Sequence, residues 1–248
     1  MCGVSRKRCN EGAAARRERC FFMSIESENR CVSVSVEGAR GRRVRSMEDG
    51  FVSEVLALRE RGDWRQVVDK YHDHPQRNKL LWVFPSPENF KFLHETMRRL
   101  ACDKILSVGC GSGLLEWLIM ESTGLDVVGV EVEGAWWGSR HAPPALAPRL
   151  LTDADSARRA PRVRRLLQES AATAILFCYF INGPAFTSYM AEFAGSVAVI
   201  VGPGPGKGVH ADPKPFDELG RDWNLFDSQE VRRSNDHIAI YVKRTAAS

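Results

Sequence analysis

The stretch KILSVGCGSGLLEWL, residues 104–118, constrains this chain more than any other. An apolar run, Ile105 to Val108, breaks at three glycines in alternate positions, Gly109, Gly111 and Gly113. A segment of helical periodicity follows. Glycine permits φ > 0 and lets another group approach the main chain closely. The first N–H groups of a helix are unpaired and carry a partial positive charge, so such a turn suits an anion.

Spacing narrows the occupant. A phosphate-binding P-loop needs GxxxxGK followed by Ser or Thr. The stretch GPGPGKG at 202–208 has Lys207 where the second glycine belongs, and Gly208 follows that lysine, so it is rejected. A dinucleotide loop needs GxGxxG or GxGxxA. Counted from Gly109, its last position is Leu114, and the third glycine comes one residue early.

The flanking sequence sets the fold class. Continuous apolar runs at 104–108, 126–132, 149–152, 173–180, 197–201 and 237–242 read as strands with both faces covered. Helical segments at 112–121, 160–169 and 184–193 lie between them. Repeating β-α order predicts a parallel sheet with right-handed crossovers. NLFDSQEVRR and SNDHIAIYVKR, joined by a Ser-Asn-Asp turn, read as an antiparallel hairpin closing one edge. The expectation is an α/β, Rossmann-like, doubly wound sheet of seven strands, mostly parallel, with that hairpin at its C-terminus. Ahead of it, FVSEVLALRERG and DWRQVVDKYHDH read as amphipathic helices, with Asp63 capping the second. Ser86 or Pro87 opens a third helix, ENFKFLHETMRRLA. The expected division is a basic, disordered tail at 1–47, a helical lead at 48–83 and the Rossmann-like domain at 84–248.

The tighter pattern GxGxG, read here as KILSVGCGSGLLEWL, resembles motif I of the class I S-adenosylmethionine-dependent methyltransferases. The resemblance covers roughly residues 84 to 243 and continues at LDVVGVEVE, where Glu131 falls at the end of the second strand. It implies that S-adenosylmethionine is the cofactor. Ser107, Gly109, Cys110, Gly111 and Gly113 would lie along its methionine moiety. Glu131 would accept the ribose hydroxyls, the job a strand-end carboxylate does in dinucleotide folds. Asp153, in Thr152-Asp153-Ala154, would face the adenine amino group. Two features depart from the family pattern. Ser107 stands where an acid is common, able to hydrogen-bond the amino end of the cofactor but without charge pairing. Asn182-Gly-Pro-Ala-Phe186 is a loosened form of the [DN]PP[YF] segment of amino-group methyltransferases. Asn182 and Tyr179 are the residues expected near the methyl acceptor, which the sequence does not identify.

Composition bounds the alternatives. Residues 1–48 carry eleven Lys/Arg and six Glu, whereas the remainder is close to neutral, with 24 basic and 25 acidic residues. The body is therefore not a basic nucleic-acid-binding domain. Nucleic acid is expected only through the tail or the Arg158–Arg165 cluster, which as a plain helix face would simply be solvated. No apolar run approaches the ~20 residues of a membrane span. The expected location is the cytoplasm, with the nucleus as the other choice. Cys102, Cys110 and Cys178 read as small buried hydrophobes. His72-Asp-His74 and His210-Ala-Asp212 supply too few ligands for a metal. Trp136-Trp137 suits either base stacking or packing, and 202–215 reads as a lid or an ordinary long loop. The principal alternative to an enzyme is a methyltransferase-like binding protein without catalysis. A nucleotide-dependent oxidoreductase is disfavoured by Leu114.

Overall fold

A computed structural model describes residues 48–132, 145–147, 149–152, 160–169 and 172–244. Seven strands form one sheet: β1 (Lys104–Val108), β2 (Asp126–Glu131), β3 (Leu150–Thr152), β4 (Thr173–Cys178), β5 (Val197–Pro203), β6 (Trp223–Val231) and β7 (Asp236–Lys243). Their order is β3-β2-β1-β4-β5-β7-β6. The first five pair in parallel, and β7 inserts antiparallel between β5 and β6. This is the Rossmann-like, mostly parallel seven-stranded sheet that the sequence predicts.

The strands are continuously apolar because successive residues feed two different cores. Ile105, Val127, Leu176 and Val199 pack on one face, against α1 (Glu48–Glu60), α2 (Trp64–Tyr71), α3 (Pro87–Arg99) and α4 (Leu114–Thr123). Leu106, Val128, Ile175 and Ile200 pack on the other. There they meet α5 (Pro161–Gln168) and α6 (Gly183–Glu192), through Val163, Leu167 and Tyr189. Phe51, Val55, Val67 and Val68 of the helical lead are buried in the first of these cores. Arg232 fastens the lead to the hairpin, its guanidinium donating to Phe84 O at 3.0 Å and Val68 O at 2.9 Å.

Local chemistry explains most boundaries. Ser86 and Asn89 form a reciprocal capping box at the start of α3, with Pro87 at its first position. Asp63 stands at the N-cap of α2 but makes no capping bond, and its carboxylate takes Arg61 Nε at 3.1 Å instead. Helix α4 starts at Leu114, not at 112, because Gly113 is left-handed at φ +77°. β4 stops at Cys178 because Tyr179 turns out of the strand at φ +49°. The hairpin reverses through Arg232, Arg233 and Asn235, all at positive φ, so its turn begins before the Ser-Asn-Asp triplet. Among the described residues no helix is long and apolar enough to cross a membrane.

Candidate ligand site at the glycine turn

The sheet order reverses between β1 and β4, since β2 and β3 lie to one side of β1 and β4 and β5 to the other. Ligands of open α/β sheets bind outside the carboxyl ends of the strands at such a reversal. The glycine turn after β1 sits at that point, with the ends of β2 and β4 on either side.

All three glycines have left-handed backbone, at φ +72°, +57° and +77° for Gly109, Gly111 and Gly113. Two of them also make room for the protein itself. A Cβ on Gly109 would come within 2.9 Å of the Phe180 ring. A Cβ on Gly113 would overlap the backbone and side chain of Ala147. The neighbouring Leu146 donates its N–H to Ser112 O at 2.6 Å, which holds that segment over the helix start. Cys110, half-buried, lays its sulfur against Gly129 of β2. Its thiol pKa is pushed up, first by burial and then by the charges of Glu116 and Glu131.

Glu131 closes the turn from the end of β2. Gly111 N–H donates to its Oε2 at 3.0 Å, and Val132 N–H donates to its Oε1 at 2.8 Å. The residue is 9% exposed. The resemblance places this carboxylate beside the glycines, and parallel pairing of β1 with β2 brings it there.

Ser107 has a partner within the protein. It is 1% exposed, and its hydroxyl donates to Glu116 Oε1 at 2.6 Å. Glu116, in the first turn of α4, is equally buried, and its Oε2 has no partner. Burial pushes its carboxyl up to about 7, helped by the charge of Glu131 and opposed by the hydrogen bond from Ser107. Sequence reasoning missed Glu116. The signal was one acid set in the otherwise apolar run LLEWLIM.

At the end of β4 the two side chains expected beside an acceptor have internal partners. Asn182 caps α6, its side-chain oxygen accepting from Ala185 N–H at 3.0 Å. Tyr179 donates its hydroxyl to Asp236 Oδ1 at 2.5 Å. Burial and this bond to a carboxylate both raise the phenol pKa. Trp82, 48% exposed, stacks on Tyr179 with ring centroids 5.9 Å apart. The 202–215 loop is fastened, not hinged free. Asp212 N–H donates to Phe180 O at 2.7 Å, and Gly204 N–H donates to Asn235 O at 2.7 Å. Lys207 pairs with Asp236 at 2.6 Å.

Asp153, Trp136 and Trp137 lie outside the described residues. Of the arginine cluster, Arg162, Arg164 and Arg165 stand exposed on α5, with Arg164 paired to Glu192 at 3.8 Å. Among the described residues no group of three or more His, Cys, Asp or Glu could hold a metal ion.

Strand order and the turn at the reversal define a Rossmann-like α/β fold. Solved structures similar to the chain include an O-methyltransferase from Bacillus cereus in complex with SAH. It is 15% identical, with 81% of this chain and 94% of that one covered, at a TM-score of 0.44. Another is the magnesium protoporphyrin IX methyltransferase of Synechocystis with bound SAM, 9% identical, covering 78% and 97%, at 0.41. A third is a SAM-dependent methyltransferase from Archaeoglobus fulgidus, 13% identical, covering 62% and 94%, at 0.34. No family model matches the chain. No curated protein matches it in sequence.

Proposed function

We propose that the chain binds S-adenosylmethionine at the glycine turn and transfers its methyl group to an acceptor. One observation carries this reading: a carboxylate, Glu131, sits at the end of β2, bonded to the N–H of Gly111 in a glycine turn at the sheet reversal. A strand-end carboxylate there suits a vicinal diol. The orphaned buried oxygen of Glu116 suits a ligand that brings a hydrogen-bond donor.

When bound, this cofactor supplies a methyl group already activated by its sulfonium. The protein then has to hold and align. Gly109 and Gly111 would offer close backbone approach and Glu131 would accept the ribose hydroxyls, while Asp153, the residue assigned to the adenine, lies outside the described residues. Proximity and orientation then supply much of the rate. A general base is needed only for an acceptor that must lose a proton. The acceptor would enter beside Tyr179 and Asn182, under Trp82.

Calorimetric titration with S-adenosylmethionine, S-adenosylhomocysteine and NAD tests the cofactor. Micromolar binding of the first two is expected, and NAD binding in their place would overturn the reading. A second reading, a binding protein without catalysis, draws support from the engagement of Tyr179 with Asp236 and of Asn182 with the α6 start. Transfer of labelled methyl from cofactor to a cell extract separates the two.

A further inference from the structure

We infer that Glu116 is the carboxylate at the glycine turn that recognises the ammonium group of an adenosyl amino acid ligand. The inference rests on the cofactor reading above. Glu116 stands in the first turn of α4, directly after the turn, with Ser107 Oγ fixing its Oε1 at 2.6 Å. Its Oε2 is buried and has no hydrogen-bond partner. A buried carboxylate without a full set of donors is costly, and each such group requires an explanation. An incoming ammonium satisfies both requirements at once, as a donor and as a counter-charge.

Among the described residues, the charge that acts on Glu116 is that of a second acid, Glu131 of β2. From the turn and β4 come the thiols of Cys110 and Cys178, both pushed up by burial and by the charge of Glu116. From α3 the buried, unpartnered ionisable atom is His94 Nδ1. Helix α2 buries only Val67, Val68 and Tyr71. Oε2 is covered in this structure, so engagement requires a rotamer change of Glu116 or a shift of the turn above it. Ser107 then acts as a positioning residue: it orients the carboxylate and leaves the charge to the helix.

Because the carboxyl titrates near neutrality, binding of an ammonium is coupled to loss of its proton. The test uses the full chain, its Glu116→Gln variant and two probes. S-adenosylhomocysteine carries the ammonium, and 5′-methylthioadenosine keeps the nucleoside and lacks it. For the wild type, affinity for the first should rise about tenfold from pH 6 to pH 8, as the ionised fraction of Glu116 grows. Glu116→Gln should bind it at least tenfold more weakly at pH 8, with no pH dependence. Methylthioadenosine should bind both proteins equally at either pH. Equal, pH-independent binding of S-adenosylhomocysteine by both proteins would overturn the inference and leave the cofactor reading intact. Loss of both probes together in Glu116→Gln would mark a merely structural role and also overturn it. Failure of the wild type to bind either probe would remove the cofactor reading and this inference with it.

Discussion

The hydroxyl of Tyr179 and the carboxylate of Asp236 meet at 2.5 Å, joining the end of β4 to the start of β7. Asp236 is 4% exposed and also takes Lys207 at 2.6 Å and the Ser234 hydroxyl at 3.1 Å. Replacing it with Ala leaves a half-buried phenol and a half-buried ammonium without their acceptor. Such a loss costs about 3 kcal/mol. Asp236→Ala should therefore unfold roughly 6–12 °C below wild type by thermal denaturation, for a domain of this size. A fall of under 2 °C would show that the network is not holding the loop.

Gly113 and Gly124 bracket α4 with nearly the same left-handed φ, +77° and +76°. Their surroundings differ: a Cβ on Gly113 meets Ala147, whereas a Cβ on Gly124 meets nothing within 4 Å. Gly124→Ala should cost about 1 kcal/mol, the backbone strain alone. Gly113→Ala should cost about 3 kcal/mol, because overlap with a backbone segment adds to that strain. Urea unfolding of the two variants reads the difference, and equal costs would remove Ala147 from the account.

Glu116 should make stability depend on pH. Its carboxyl lies near 7 in the folded chain against 4.5 when unfolded. The folded state therefore binds more protons between those values, and stability falls as pH rises through that window. The penalty is absent below about pH 4.5 and complete above about pH 7, reaching roughly 3 kcal/mol. Glu116→Gln should gain that much on wild type between pH 4.5 and pH 7.5, measured by urea unfolding across the range. A constant difference would place the titration elsewhere.

Glu131→Gln separates binding from folding. The amide oxygen can still accept from one of the two backbone N–H groups, while the other meets the amide NH2, so stability should fall by about 1–2 kcal/mol with the fold retained. Losing the charge should weaken S-adenosylhomocysteine binding about 30-fold, or about 2 kcal/mol. Calorimetry checks the binding, and unchanged affinity would take Glu131 out of the site.

Much of the sheet was legible along the chain. Runs such as Thr173–Cys178 and Val197–Val201 are apolar at nearly every position, and only a strand covered on both faces uses both parities that way. The glycine triplet and Glu131 were legible because they lie in one β-α-β unit, where parallel pairing fixes who meets whom. The strand ends were less so. Tyr179 leaves β4 early through a backbone angle that no apolar pattern records.

By itself, then, the sequence determined the doubly covered sheet, its antiparallel edge and the glycine turn after its first strand, because local spacing encodes periodicity and backbone freedom. Tertiary structure alone decided what those features touch. It set Ala147 against Gly113, Ser107 beneath Glu116, and Tyr179 and Lys207 on Asp236. The Tyr179 and Asp236 contact spans 57 positions in the chain, and hydrogen bonding at that separation leaves no periodic trace.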